Sequence, residues 1–221
     1  MHQTLLQFPE VKLLRRDGHK LRGYFANLFG QESDLFHNHD SNGKSIHRYP
    51  RVQYKVVDRT PTLVGLAEGA SLLTERFLQI REIDIDGERI PLHQKNMRSD
   101  QIELGISDEL VEYNFATPWF PLNQENHTIF EKADSAQQQD QLKRILVRNI
   151  LNVFSVDRYF AEQRVMVHLN LRRPTTSKFK DQKILTFFGS FVTNAILPDY
   201  IGLGKSVARG YGTICRKRPG A

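Results

Sequence analysis

The chain has 221 residues, 39% of them hydrophobic, which is enough apolar material for one or two domains with real cores. Its net charge of +6 favours a polyanionic partner, since Lys and Arg that neutralise phosphates release condensed counterions. Cys215 is the single cysteine, which excludes an internal disulfide framework and a thiolate zinc site and fits a reducing compartment. No run approaches the roughly 20 apolar residues that span a bilayer, and the N-terminal stretch lacks a signal-peptide core, so a cytoplasmic protein without a membrane partner is expected.

Residues 4–14 read as a first strand interrupted at Pro9. Asp17 and Gly18 then open a helix whose apolar positions Leu21, Tyr24, Phe25, Leu28 and Phe29 recur at helical spacing, and Gly30 closes it. A polar loop containing Asn42-Gly43 carries His37, His39 and His47, ahead of strands predicted over 51–58 and 62–66. A second helix is predicted over about 69–78. Ile83, Ile85 and Ile90 flank Asp86-Gly87, a hairpin signal that completes a β-α-β-β-α-β order. Residues 1–107 are accordingly read as a ferredoxin-like domain with an added strand.

Around Ser107-Asp108 the pattern restarts with a strand over 110–120, in which Trp119 is a core residue. A helix follows with apolar positions Leu142, Ile145, Leu146, Ile150 and Val153. Residues 165–171 and 184–196 form a long hairpin around a tip bearing Arg172, Arg173, Lys178, Lys180 and Lys183, and a strand over 211–217 comes last. No second helix is predicted, so 108–221 is read as a degenerate copy. The fold class is α+β, with two tandem ferredoxin-like (RRM-like) domains.

Just before the last strand, Gly202, Gly204, Gly210 and Gly212 fall within eleven positions together with Lys205 and Arg209. Repeated glycine frees successive amides to form an anion-binding concavity, to which the two cations add charge. A Walker loop is excluded because Asp199 stands where its first glycine belongs, and the segment does not follow the first strand of a βαβ unit as a Rossmann fingerprint would.

The spacing glycine, apolar, glycine, five residues, glycine, aromatic, glycine matches the loop of the RAMP superfamily of CRISPR RNA-binding proteins. Upstream, Phe36-His37-Asn38-His39-Asp40 followed by Tyr49-Pro50-Arg51-Val52-Gln53-Tyr54-Lys55 is similar to the paired-histidine subgroup of the endoribonucleases that cut precursor CRISPR RNA at its repeats. The resemblance implies two ferredoxin-like domains, a catalytic pair at His37 and His39, and CRISPR repeat RNA as partner. It also makes effector-complex proteins or a second copy of the chain conceivable partners.

RNA carries its own nucleophile, the 2′-hydroxyl. It needs a base to take its proton, an acid for the leaving 5′-oxygen and cations near the phosphate, and the ordinary imidazole pKa of about 6.5 suits both proton roles. Tyr49 is placed to orient the 2′-hydroxyl or phosphate, and Lys44 or Arg48 to meet the developing charge. The glycine-loop residues Gly202, Gly204, Lys205, Arg209, Gly210 and Gly212, with Arg172, Arg173, Lys178 and Lys180 of the hairpin tip, are the candidate RNA contacts. No cofactor is expected. A zinc site of His37, His39, Asp40 and His47 ranks below acid-base chemistry. The rival readings are a non-catalytic RNA-binding subunit of a CRISPR effector complex and a metal-dependent nuclease.

Overall fold

In the computed structural model, which describes residues 1–38, 44, 46–179 and 182–218, the chain forms two units, 1–102 with 208–210 and 103–207 with 211–221. The first contains β1 (His2–Gln7), α1 (Gly18–Phe29), β2 (Val52–Val57), β3 (Thr60–Leu66), α2 (Glu68–Arg76), β4 (Glu82–Ile85), β5 (Glu88–Pro91) and β6 (Asn96–Gln101). Its main sheet is antiparallel with strand order β2-β3-β1-β6, the order of a ferredoxin-like fold.

One face of that sheet takes both helices. Leu21, Phe25 and Phe29 share a helix face because positions four apart stack along it. With Leu73 of α2 they close over Leu6, Val52, Tyr54, Val56 and Leu63. Leu28, placed on the apolar face by spacing, is 43% exposed, and Gly18 instead extends the buried stripe. Beyond β1, which ends before Pro9, the chain stays bound through Phe8 N–H to the Pro61 carbonyl and Leu13 N–H to the Arg59 carbonyl.

The hairpin at Asp86-Gly87 forms, with Ile83 opposite Ile90, but it stands as a separate two-stranded ribbon. The fourth strand of the main sheet is β6, paired with β1 from His2 opposite Gln101 to Gln7 opposite Asn96. Its sequence is almost wholly polar, and it lies on a sheet edge with nearly every residue exposed. Backbone pairing holds such a strand, so no alternation of apolar residues announces it.

The second unit contains β7 (Gly105–Phe115), α3 (Gln124–Lys132), α4 (Ser135–Phe154), β8 (Val167–Leu171), β9 (Thr175–Phe179), β10 (Gln182–Thr186), β11 (Gly189–Ile196) and β12 (Ile214–Arg216). The order β12-β7-β11-β8 repeats the ferredoxin pattern. α4 starts at a capping box, in which Asp134 accepts the Gln137 N–H and Gln137 accepts the Asp134 N–H. It buries Leu142, Ile145, Leu146, Ile150 and Val153. α3 buries only Phe130, so its pattern is too polar to register as a helix. Trp119 is fully buried and stacked on Phe115, with ring centroids 5.2 Å apart. The bulged β11 residue Asn194 bonds Met166 N–H and the Arg164 carbonyl, while β9 and β10 continue the β8–β11 hairpin as a ribbon.

Candidate active site

After α1 the chain turns through Gly30 into a 3-10 turn, Asp34–Phe36, whose start is capped by the Ser33 hydroxyl accepting the Leu35 N–H. Phe36 is buried against Phe29, with ring centroids 5.2 Å apart, which pins the backbone leading to His37. From β2 the Tyr54 phenol donates to the Phe36 carbonyl at 3.0 Å. Complete burial raises the pKa of that phenol far above its ordinary value, so Tyr54 serves as a hydrogen-bond donor and not as a proton acceptor.

The half-buried His37 ring places Nε2 3.0 Å from the Gly30 carbonyl. A carbonyl only accepts, so in this contact Nε2 carries the proton and donates. Glycine at position 30 makes this approach possible, because a methyl group there would lie 2.8 Å from His37 Cδ2. The His37 carbonyl accepts from Arg22 Nη2 at 2.5 Å.

The two feet of the histidine loop are tied together. Asn38, at φ +54°, accepts Ile46 N–H at its carbonyl and Arg48 Nε at its side chain. Arg48 is also 3.0 Å from Asp34 Oδ1, so it braces the loop. His39 and Asp40 lie outside the described residues. Lys44 is exposed, and Tyr49 is half-buried in the link to β2. Among the described residues, no three His, Cys, Asp or Glu side chains are grouped to hold a metal ion.

The tip Ala208–Gly210 folds with the first unit. A methyl at Gly18 would lie 2.8 Å from the Arg209 carbonyl oxygen, and one at Gly210, where φ is +92°, would lie 3.1 Å from the Tyr54 carbonyl oxygen. Arg209 therefore sits at the first turn of α1, and Arg22 follows Gly18 by one turn. Desolvation, and then the like charge of Arg209, lower the pKa of the Arg22 guanidinium. Arg22 belongs to no motif, and only its position four residues after Gly18 could have singled it out.

In the second unit the glycines have a packing reason. Leu203 N–H donates to the Gly212 carbonyl, Lys205 N–H to that of Phe120 and Gly212 N–H to that of Pro118. These three amides are committed inside the protein, whereas the sequence predicts a concavity facing phosphate. A methyl at Gly204 would lie 2.6 Å from the Phe120 carbonyl oxygen, and Gly202 bridges to Thr213. The exposed Lys205 holds Nζ 5.6 Å from the Phe120 ring centroid. It lines a groove of about 580 Å³ with Lys183, His127 and Asn123. Arg172 and Arg173 are exposed before β9, and the β9–β10 register sets Lys178 opposite Lys183. Lys180 lies outside the described residues.

Two antiparallel sheets of ferredoxin order, the second with no α-helix between β11 and β12, and a glycine-rich segment before the last strand define a protein of RAMP type. The family model for the Cas6b N-terminal domain matches residues 1–103 and that for the Cas6b C-terminal domain matches 105–217, so the chain belongs to the Cas6b family. It is similar to a solved crystal structure of Cas6b, with 33% identity, 98% of this chain and 99% of that one covered, and a TM-score of 0.92. A second crystal structure, of a CRISPR RNA processing endoribonuclease Cas6b, is 31% identical over 98% of this chain and 100% of its own, with a TM-score of 0.77. An uncharacterized protein of Methanocaldococcus jannaschii is 30% identical over 142 residues, 64% of this chain and 97% of that protein. Among the described residues, no helix is long and apolar enough to cross a membrane.

Proposed function

We propose that this protein cleaves precursor CRISPR RNA within its repeats, without a metal ion, by attack of the RNA 2′-hydroxyl on the adjacent phosphorus. A base takes the 2′-hydroxyl proton, the new O–P bond closes a 2′,3′-cyclic phosphate, and the bond to the 5′-oxygen breaks as an acid protonates that oxygen. His37 and His39 share these two roles, and the contact between His37 Nε2 and the Gly30 carbonyl orients the His37 ring. Tyr49 and Lys44 flank the same loop and serve the phosphate. Lys205, Arg209, Arg172, Arg173, Lys178 and Lys180 contribute charge toward the RNA backbone, and Gly202, Gly204, Gly210 and Gly212 shape the segment that carries two of them.

The observation that carries this reading is the likeness, along 98% of the chain, to the crystal structure of a CRISPR RNA processing endoribonuclease Cas6b. The test is incubation with a repeat RNA from the CRISPR array of the same genome in excess chelator. A single cut leaving a 5′-hydroxyl is expected. His37→Ala and His39→Ala should each slow cleavage by about 100- to 10,000-fold with RNA affinity nearly unchanged. Cleavage only after a divalent ion is restored would indicate a metal-dependent nuclease, and binding without cleavage in either condition a non-catalytic subunit.

A further inference from the structure

Gly18 and Arg22 lie on one face of α1, four residues apart, and a helical side chain leans back over the turn N-terminal to its own Cα. Arg22 therefore reaches over the turn against which the Arg209 backbone is packed, close enough to the Gly18 Cα that a methyl there would meet the Arg209 carbonyl at 2.8 Å. On the other side of this corner, Gly210 rests against Tyr54, whose phenol fixes Phe36, the residue before His37. The Arg22 guanidinium is oriented by its bond to the His37 carbonyl, which uses one of its five N–H donors.

The half-buried Arg22 guanidinium is desolvated and feels the like charge of Arg209, and both effects lower its pKa. Such an arrangement gains most when an anion with two oxygens enters, since a planar guanidinium fork matches paired oxygens and the anion offsets both charges. We propose that Arg22 and Arg209 form a two-guanidinium seat for an RNA phosphate beside His37, holding its non-bridging oxygens while the histidines exchange protons. The inference rests on the ribonuclease reading for the identity of the anion. The seat itself is a property of the folded protein without RNA.

Two measurements test it. Melting is compared in chloride and in inorganic phosphate of equal ionic strength for the wild type, Arg22→Gln, Arg22→Lys and Arg209→Gln. The wild type should melt higher in phosphate, and both Gln variants should lose that increment. Arg22→Lys restores a donor to the His37 carbonyl, so it should melt like the wild type in chloride while regaining little of the phosphate increment. Equal increments in all four proteins, or full recovery of the increment by Lys, would reduce Arg22 to a brace for the loop and overturn the seat. Under single turnover, Arg22→Gln should slow RNA cleavage by about 100-fold with its pH profile unmoved, and an unchanged rate would also overturn the proposal. Should the wild type fail to cut repeat RNA at all, the enzyme reading falls, while the phosphate increments still decide the seat.

Discussion

Replacing Gly212 by alanine separates a glycine needed for packing from one needed for a ligand. Gly212 has φ +62°, where an L-residue costs about 1–2 kcal/mol. Its new methyl would lie 1.9 Å from the Leu203 carbonyl oxygen, so the two strands of the loop must part. Parting them breaks the Leu203 N–H bond to the Gly212 carbonyl and the Gly212 N–H bond to the Pro118 carbonyl, each worth about 1 kcal/mol. Alanine restricts the unfolded chain more than glycine and returns about 0.4–1 kcal/mol. The net loss is about 3 kcal/mol, which at an m-value of about 1–3 kcal/mol/M lowers the urea midpoint by about 1–3 M. Trp119, the only tryptophan, follows Pro118 directly and is fully buried, so its fluorescence reports the transition at the loop itself. A midpoint moved by less than about 0.5 M together with weakened RNA binding would show that the glycine serves the nucleic acid and not the fold.

Tyr54→Phe deletes the donor to the Phe36 carbonyl without creating a cavity, and a buried carbonyl left unpaired costs about 1–3 kcal/mol. Because His37 follows Phe36, single-turnover cleavage should slow along with the loss in melting temperature while RNA affinity holds, and an unaltered melt would refute the anchoring role. Glu10 accepts the N–H groups of His93 and Gln94, each at 2.9 Å, and these bonds hold its carboxyl below the usual carboxylate range. Its folded pKa is depressed, so its contribution is present above the unfolded value of about 4.3 and is lost as pH falls through the folded one. Glu10→Gln should therefore flatten the acid side of the melting temperature against pH, and an unchanged acid limb would refute the assignment.

What was legible in the sequence follows from how each feature is stabilised. α1, α4 and the strands flanking the first core bury regular apolar patterns, and periodicity finds them. β6 carries almost no apolar side chains because it is held by the ladder with β1, and α3 buries a single residue, so neither leaves a pattern. The histidine loop was visible as a cluster of unusual residues. Its supports were not, because the Tyr54 phenol, the Gly30 carbonyl and Arg22 become neighbours of residues 36–37 only through the fold.

In the sequence the glycine-rich segment reads as one device, and in the structure it divides into two. Gly202, Gly204 and Gly212 lie against or bond with the backbone of the second unit, where a side chain on Gly204 or Gly212 would strike a carbonyl. Gly210 belongs with the first unit, where its positive φ and missing side chain let the Arg209–Gly210 peptide settle between Gly18 and Tyr54. Gly18 is the complement of that contact, since any larger residue at the start of α1 would push the Arg209 carbonyl away. A glycine 192 residues upstream of Gly210 thus sets how closely the Arg209 backbone lies against the first turn of α1. The density of glycine reflects close approach of backbone to backbone, and the positive charge that results is carried by side chains placed through those approaches.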